Sequence, residues 1–242
     1  MLVDSKFIYL SLPRCASTAF HVTCLKLGIP IVDFTDKKNE HLKDIDLSDK
    51  SVDWLADNMN HGHVRLHELQ HWYGKNQPVI SVNRNRHERF VSIWKHIIDE
   101  MTRKGETEFA NLCSKLDYDD ILYFKSENIY DTDNVNNLVN DFCIRYGIPN
   151  ASNYAKWSLS IAFTPYSYYH QHNESIIWFD FNELHKMEEW VSNRLNREFK
   201  LERGNSSKHY DCKLSLSDSF IERYNTIYDV YDFPPKKIKK LI

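Results

Sequence analysis

Three short apolar runs alternate with longer amphipathic segments along the chain. The runs lie at residues 7–10, 78–82 and 175–181. Runs of this length are typical of strands buried on both faces, and the segments between them show the period of helices. Strands that alternate with helices predict an α/β fold. In this three-layer αβα fold a mainly parallel central sheet has helices on both faces. A site is then expected at the carboxyl ends of the strands.

The segment after the second run has the clearest helical period. Its apolar residues recur at i, i+1, i+4, i+7, i+8 and i+11, namely Phe90, Val91, Trp94, Ile97, Ile98 and Met101. This spacing predicts a helix with one face in the core. Other helices are predicted up to about residue 27, at 52–59, 118–124, 134–146 and 184–195, and near the end of the chain.

Composition narrows the class of protein. The chain has 242 residues, of which 42% are apolar and 27% charged, values typical of a globular protein. The length permits one domain or two, and a single domain over residues 1–242 is the simplest expectation. A net charge of −3 argues against a nucleic-acid partner. No run reaches the length of an integral membrane segment, and only six residues precede the first strand, so no signal peptide is expected. Five cysteines without a Cys-x-x-Cys pair fit a cytoplasmic location. The sequence leaves the oligomeric state open.

The segment after the first run carries groups suited to an anion. A strand, a tight loop and a helix start leave the first helical amides unpaired at the positive end of the helix dipole. Arg14 adds a fixed positive charge, and Ser17 and Thr18 add hydroxyl donors. The glycine and lysine of a Walker A loop are missing. An ordinary capped helix, in which Ser17 and Thr18 satisfy the first turn, is the alternative.

Residues 13–18, Pro-Arg-Cys-Ala-Ser-Thr, resemble the 5′-phosphosulfate loop of sulfotransferases, Pro-[Lys/Arg]-x-[Gly/Ala]-[Ser/Thr]-[Ser/Thr]. These enzymes use 3′-phosphoadenosine 5′-phosphosulfate (PAPS). The resemblance implies a P-loop-NTPase-like sulfotransferase fold. It also implies a catalytic role for Arg14 at the departing phosphate oxygen. The implied ligands of the 5′-phosphosulfate are Arg14, Cys15, Ala16, Ser17, Thr18 and Ala19.

A second stretch, residues 83–94, follows the second apolar run. It is similar to the sulfotransferase 3′-phosphate motif, Arg-x-Pro-x-[Glu/Asp]-Arg-x-x-Ser-x-Tyr. The residues in register are Arg84, Glu88, Arg89 and Ser92. Arg86 stands where the motif has proline, and Trp94 stands where it has tyrosine. The resemblance implies that Arg84 and Ser92 bind the 3′-phosphate, whereas the residues alone also allow a solvated basic face at a helix start.

A histidine cluster occupies the region before the second run. In a helix, His63, His67 and His71 would share one face and could bind zinc; in a strand, only His61 and His63 would share a side. A purely structural role is the third possibility. Residues 61–64, His-Gly-His-Val, also resemble the uronyl 2-O-sulfotransferases, in which a histidine is the base. Neutral imidazole suits that task, so His63 is the predicted base, with His61 second.

Two later stretches complete the predicted site. Residues 164–173 are rich in aromatic side chains, which could either stack on a sugar or pack in a core. Residues 203–210 form a polar loop before the last helix. In the resembled family a loop at this place closes over the 3′-phosphate, which implies binding roles for Ser206 and Lys208. An exposed linker is the alternative.

The resemblance implies transfer of a sulfuryl group from PAPS to a hydroxyl acceptor by in-line attack with a histidine base. The histidine motif and the aromatic stretch favour a carbohydrate acceptor. No metal is required by this chemistry. Two alternatives remain, a small-molecule or nucleotide kinase that uses magnesium and ATP, and a non-catalytic nucleotide-binding module.

Overall fold

A computed structural model describes residues 1–32, 62–116, 135–164, 166–170 and 175–202, together with 40, 42, 45, 46, 50, 54, 120, 121, 124, 218 and 222. Contacts divide the chain into two compact units. The first takes in the described residues of Met1–Asn85 and Ser167–Ser206, and the second those of Arg86–Tyr166 and Ser207–Phe233. The single domain expected over residues 1–242 stays a prediction.

The first unit contains a mixed sheet of five strands among the described residues. Their order across the sheet is β3-β1-β2-β4-β5. The strands are β1 Leu2–Val3, β2 Phe7–Leu10, β3 Ile31–Val32, β4 Val79–Asn83 and β5 Ile176–Asp180. Strands β2, β4 and β5 pair in parallel, whereas β1 pairs antiparallel with both β2 and β3.

The three predicted strands are confirmed, and they are the three that pair in parallel. The expected mainly parallel sheet is nevertheless mixed, because β1 and β3 extend it with antiparallel pairs. Each of these two strands has only two residues, too few to show a hydrophobic period.

Eight α-helices lie among the described residues, with a short 3-10 helix at Phe181–Glu183. They are α1 Ser17–Lys26, α2 Leu66–Tyr73, α3 Arg86–Arg103, α4 Thr107–Lys115, α5 Val135–Arg145, α6 Asn153–Phe163, α7 Tyr166–His170 and α8 Leu184–Leu195. Helices α1, α3, α5 and α8 confirm predictions. The helices predicted at 52–59, at 118–124 and near the end of the chain lie largely outside the described residues. No described helix is both long and apolar enough to cross a membrane.

Aromatic side chains cover one face of the sheet. Tyr9 stacks on Phe20 of α1 at 3.9 Å between ring centroids, and Phe7 meets Trp190 of α8 edge-on at 5.2 Å. Phe7 and Tyr9 are two residues apart on one strand and so point to the same side. Helices α1 and α8 therefore pack against the same face of β2.

The second unit has its own helical core. Helix α3 packs against α4 and α6, and α5 packs against α6. Trp94 is fully buried at the centre, and its indole Nε1 donates a hydrogen bond to the Cys113 carbonyl at 3.1 Å. The predicted stripe on α3 is confirmed except at Val91, which is only half-buried while Ile93 is buried.

Candidate functional site

The loop between β2 and α1 has an unusual backbone. Arg14 has a φ of 60° and Ala16 a φ of 61°, both in the left-handed region that side chains other than glycine rarely enter. Ala16 is the residue that precedes the first turn of α1, and no side chain caps that end of the helix. The alternative of an ordinary helix start with a side-chain cap is therefore wrong for α1.

The N-terminal end of α1 directs backbone amides toward the loop. The first bond of the helix runs from the amide of Phe20 to the Ala16 carbonyl at 2.9 Å. The amides of Ser17, Thr18 and Ala19 precede this bond, in the first turn of the helix, where amides point away from the helix body. Left-handed residues beside a helix start form a concave group of N–H donors that suits an anion.

Tyr9 supports this loop from the core. Its hydroxyl donates a hydrogen bond to the Cys15 carbonyl at 3.2 Å, and the ring has no solvent exposure. Burial raises the pKa of Tyr9 well above its ordinary value, so the phenol stays neutral and remains a donor.

Cys15 faces the protein interior. The residue is 1% exposed, its amide bonds to the Leu12 carbonyl at 3.3 Å and its Sγ contacts the Pro13 carbonyl at 3.5 Å. Among the other predicted ligands of the anion, Ser17 is buried, whereas Arg14, Ala16, Thr18 and Ala19 are half-buried.

Arg84 lies at the carboxyl end of β4 and reaches the same loop. Its Nη1 donates a hydrogen bond to the Arg14 carbonyl at 3.2 Å. Its guanidinium carbon lies 4.3 Å from the centroid of the Phe181 ring. The structure thus brings Arg84 and Arg14, the first basic residues of the two predicted phosphate motifs, into direct contact.

His63 contacts the first residue of the segment that leads from β2 into this loop. Its ring Nδ1 is 3.0 Å from the carbonyl oxygen of Ser11, the residue that directly follows β2. A carbonyl can only accept, so Nδ1 carries the proton and Nε2 carries the lone pair when the ring is neutral. His63 also meets Tyr169 edge-on at 6.3 Å between ring centroids. The second predicted base, His61, lies outside the described residues.

The zinc arrangement of His63, His67 and His71 does not form. Helix α2 begins at Leu66, so His63 precedes it and shares no helical face with the other two histidines. Within the part of the chain that the structure describes, no cluster of three or more histidine, cysteine or acidic side chains could hold a metal ion.

Three predicted ligands of the donor remain, Ser92, Ser206 and Lys208. Ser92 is buried at 8% exposure in α3 of the second unit. Arg89 in the same helix is also buried, with a long contact of 3.5 Å from Nη2 to the Thr164 carbonyl, so it is no part of a solvated basic face. Ser206 and Lys208 lie outside the described residues.

The aromatic stretch divides into core and surface residues. Tyr169 and His170 are buried, and the His170 ring meets Trp178 of β5 edge-on at 5.6 Å. Tyr168 is 46% exposed, and the guanidinium carbon of Arg65 lies 5.4 Å from its ring centroid. Packing in the core is therefore confirmed for Tyr169, whereas stacking on a sugar stays a prediction for this stretch.

Sequence reasoning missed three residues of the site. Tyr9 supports the loop, Ser11 holds His63 through its carbonyl, and Phe181 covers Arg84. Tyr9 and Phe181 lie within the apolar runs, where the pattern indicates only burial. Ser11 acts through its backbone, which no side-chain pattern can show.

The loop, Arg84 and His63 meet where β2 and β4 end. These strands are parallel neighbours, so their carboxyl ends share one edge of the sheet, the usual place for a ligand in such folds. Comparisons with protein-family models, curated proteins and solved structures give no match. Any function therefore rests on the geometry of this site.

Proposed function

We propose that the protein is a sulfotransferase that moves a sulfuryl group from PAPS to a hydroxyl acceptor, with a carbohydrate favoured. The observation that carries the proposal is the bond from Arg84 Nη1 to the Arg14 carbonyl. It joins the two stretches that resemble the 5′-phosphosulfate and 3′-phosphate motifs. A donor that bears phosphate at both positions needs cationic and N–H groups gathered in this way.

The proposed fold is the three-layer P-loop-like fold of these enzymes. Strands β2, β4 and β5 would be its parallel centre, with the anion-binding loop directly after β2. The packing of α1 and α8 against one face of β2 supports this proposal, as does the contact between His170 and Trp178 of β5.

The donor would lie along the loop and Arg84. The amides of Ser17, Thr18 and Ala19, with the Arg14 side chain, would bind the 5′-phosphosulfate, and Arg84 would bind the 3′-phosphate. Cys15 would support the shape of the loop, since its thiol is buried and its amide bonds to the Leu12 carbonyl. The predicted roles of Ser92, Ser206 and Lys208 stay predictions.

PAPS, as a co-substrate, supplies an activated sulfuryl group bonded to phosphate oxygen. His63 Nε2 would take the proton of the acceptor hydroxyl while that oxygen forms its bond to sulfur, and the bond from sulfur to the bridging oxygen breaks. Arg14 would stabilise the charge on the departing oxygen, a role worth about 3 kcal/mol for a well-placed donor. The bond to Ser11 holds the imidazole in the required tautomer.

Calorimetric titration with 3′-phosphoadenosine 5′-phosphate, the expected product, tests donor recognition. Micromolar binding is expected, and Arg84→Ala should weaken it by about 10- to 100-fold, the usual cost of a lost hydrogen bond to a charged group. Arg194→Ala is the matched control, because Arg194 also donates to a carbonyl in the same unit, that of Lys6 at 3.2 Å.

The control ligand in this experiment is ADP with magnesium. Tighter binding of ADP with magnesium would overturn the proposal and favour a kinase. Binding of neither ligand would also overturn it. A product assay with labelled PAPS and a panel of saccharides then separates an enzyme from a nucleotide-binding module, since a module binds the bisphosphate without turnover.

A further inference from the structure

We propose that Phe181 is a positioning residue that fixes the plane of the Arg84 guanidinium and thereby sets the affinity of the anion site. This inference rests on the proposed function, because it assigns the anion at Arg84 to the phosphosulfate donor. The group concerned is the Phe181 ring, whose centroid lies 4.3 Å from the guanidinium carbon.

The shape of a guanidinium group explains how an aromatic ring can orient it. Its five N–H donors lie in one plane, while its two faces carry no donor and are weakly hydrated. An aromatic ring on one face therefore restricts rotation without using a donor. The bond from Nη1 to the Arg14 carbonyl fixes the direction of one edge within that plane. Both contacts restrict the directions in which the other N–H groups can point.

The register of the sheet places the two residues beside each other. Asn83 of β4 pairs with Asp180 of β5, and these are the last residues of two parallel strands. Arg84 and Phe181 directly follow these strands, so the two chain segments leave the sheet side by side. The segments that follow the three adjacent parallel strands β2, β4 and β5 thus contribute Arg14, Arg84 and Phe181, respectively.

The backbone at Phe181 is itself held in place. The Asp180 carboxylate accepts a hydrogen bond from the Asn182 amide at 2.7 Å and caps the 3-10 helix that begins at Phe181. That helix continues directly into α8. The ring therefore projects from a defined position, which is what a support for a long arginine side chain requires.

A free arginine side chain loses rotational freedom when it binds a ligand, and this loss lowers affinity. An arginine already held against a ring loses less. Removal of the ring should therefore weaken binding even though Phe181 need not contact the ligand.

Substitutions at Phe181 test this by titration with 3′-phosphoadenosine 5′-phosphate. Phe181→Leu should weaken binding about three- to tenfold, as expected for loss of a partly exposed cation–π contact, and Phe181→Tyr should restore it. Trp72→Leu, which removes an aromatic that is 49% exposed, should leave binding unchanged. In an Arg84→Ala background, Phe181→Leu should have no further effect. An equal loss in both backgrounds would overturn the inference.

The NMR signal of the Arg84 Nε–H gives a readout that needs no ligand. The ring current of Phe181 should shift this signal, and the shift should vanish in Phe181→Leu and persist in Phe181→Tyr. An unchanged Arg84 signal in Phe181→Leu would overturn the positioning role. If the wild type shows the ring-current shift but binds no bisphosphate, the proposed function fails while the contact between ring and guanidinium stands, so the two failures are distinguishable.

Discussion

Arg84 donates a hydrogen bond from Nη1 to the carbonyl oxygen of Arg14 at 3.2 Å, across 70 positions of sequence. The bond joins the loop after β2 to the end of β4, two strands that are parallel neighbours. Arg84 thus supports the shape of the loop in addition to its proposed role at the anion site. Loss of Arg84 should consequently affect the loop as well as the ligand.

The left-handed conformation of Ala16 predicts opposite effects for two substitutions. Ala16→Gly removes a Cβ that is unfavourable at a φ of 61°, so it should preserve or improve binding of the bisphosphate. Ala16→Val introduces a β-branched side chain in this region and should destabilise the loop by about 2 kcal/mol. Titration and urea unfolding measure both effects. Equal behaviour of the two variants would contradict the left-handed loop.

His63→Ala should abolish turnover while it spares donor binding. The base contributes about 100- to 10,000-fold to proton transfer, so the turnover number should fall by that factor. The dissociation constant of 3′-phosphoadenosine 5′-phosphate should change less than threefold. His67→Ala is the matched control, since His67 is an exposed histidine on α2. An active His63→Ala enzyme would move the base to His61 or another group.

Tyr9→Phe removes one hydroxyl beneath the loop. It leaves the Cys15 carbonyl without this donor, and we expect a loss of about 1–2 kcal/mol in the free energy of unfolding together with weaker bisphosphate binding. The stack on Phe20 remains, so the change isolates the hydrogen bond.

The raised pKa of Tyr9 also predicts a pH dependence. Because the folded pKa lies above the unfolded value of 10.0, the contribution of Tyr9 to stability is complete below about pH 10 and is lost as pH rises through the folded value. Tyr9→Phe should therefore show a flatter alkaline decline in urea unfolding. A decline as steep as that of the wild type would contradict the buried, neutral phenol.

Tyr154→Phe tests a bond between two helices of the second unit. The Tyr154 hydroxyl donates to Glu100 Oε1 at 2.7 Å and joins α6 to α3. Its loss should cost about 1–2 kcal/mol in the free energy of unfolding. Tyr146→Phe is the control in the same unit, where the ring packs on Phe142 at 4.6 Å.

The pKa of Glu100 sets the pH range of this effect. Burial raises that pKa, but hydrogen bonds from Arg103 and Tyr154 outweigh burial and lower it overall. The stabilisation is therefore present above the unfolded value near pH 4.5 and lost as pH falls through the folded value. The difference between wild type and Tyr154→Phe should shrink at low pH, and a difference that does not change with pH would contradict the ionised partner.

Local patterns in the chain predicted much of the fold. The strands at Phe7–Leu10, Val79–Asn83 and Ile176–Asp180 appear as apolar runs because both faces of a central strand are buried. Strands β1 and β3 were missed because pairing, not composition, creates strands of two residues. Helices α4, α6 and α7 were also missed, and the sequence left the segment of α2 open between helix and strand.

The candidate site likewise combines features that the sequence predicts with contacts that only the structure shows. The sequence alone determined that an arginine and two hydroxyl residues follow one buried strand, that Arg84 follows another, and that His63 lies in a polar segment between them. Only the tertiary structure decided that Arg84 bonds to the Arg14 carbonyl, that His63 bonds to the Ser11 carbonyl and that Phe181 covers Arg84. Two of these contacts use backbone carbonyls, and both contacts of Arg84 depend on strand order and register. Such long-range pairing leaves no periodic trace in a single sequence.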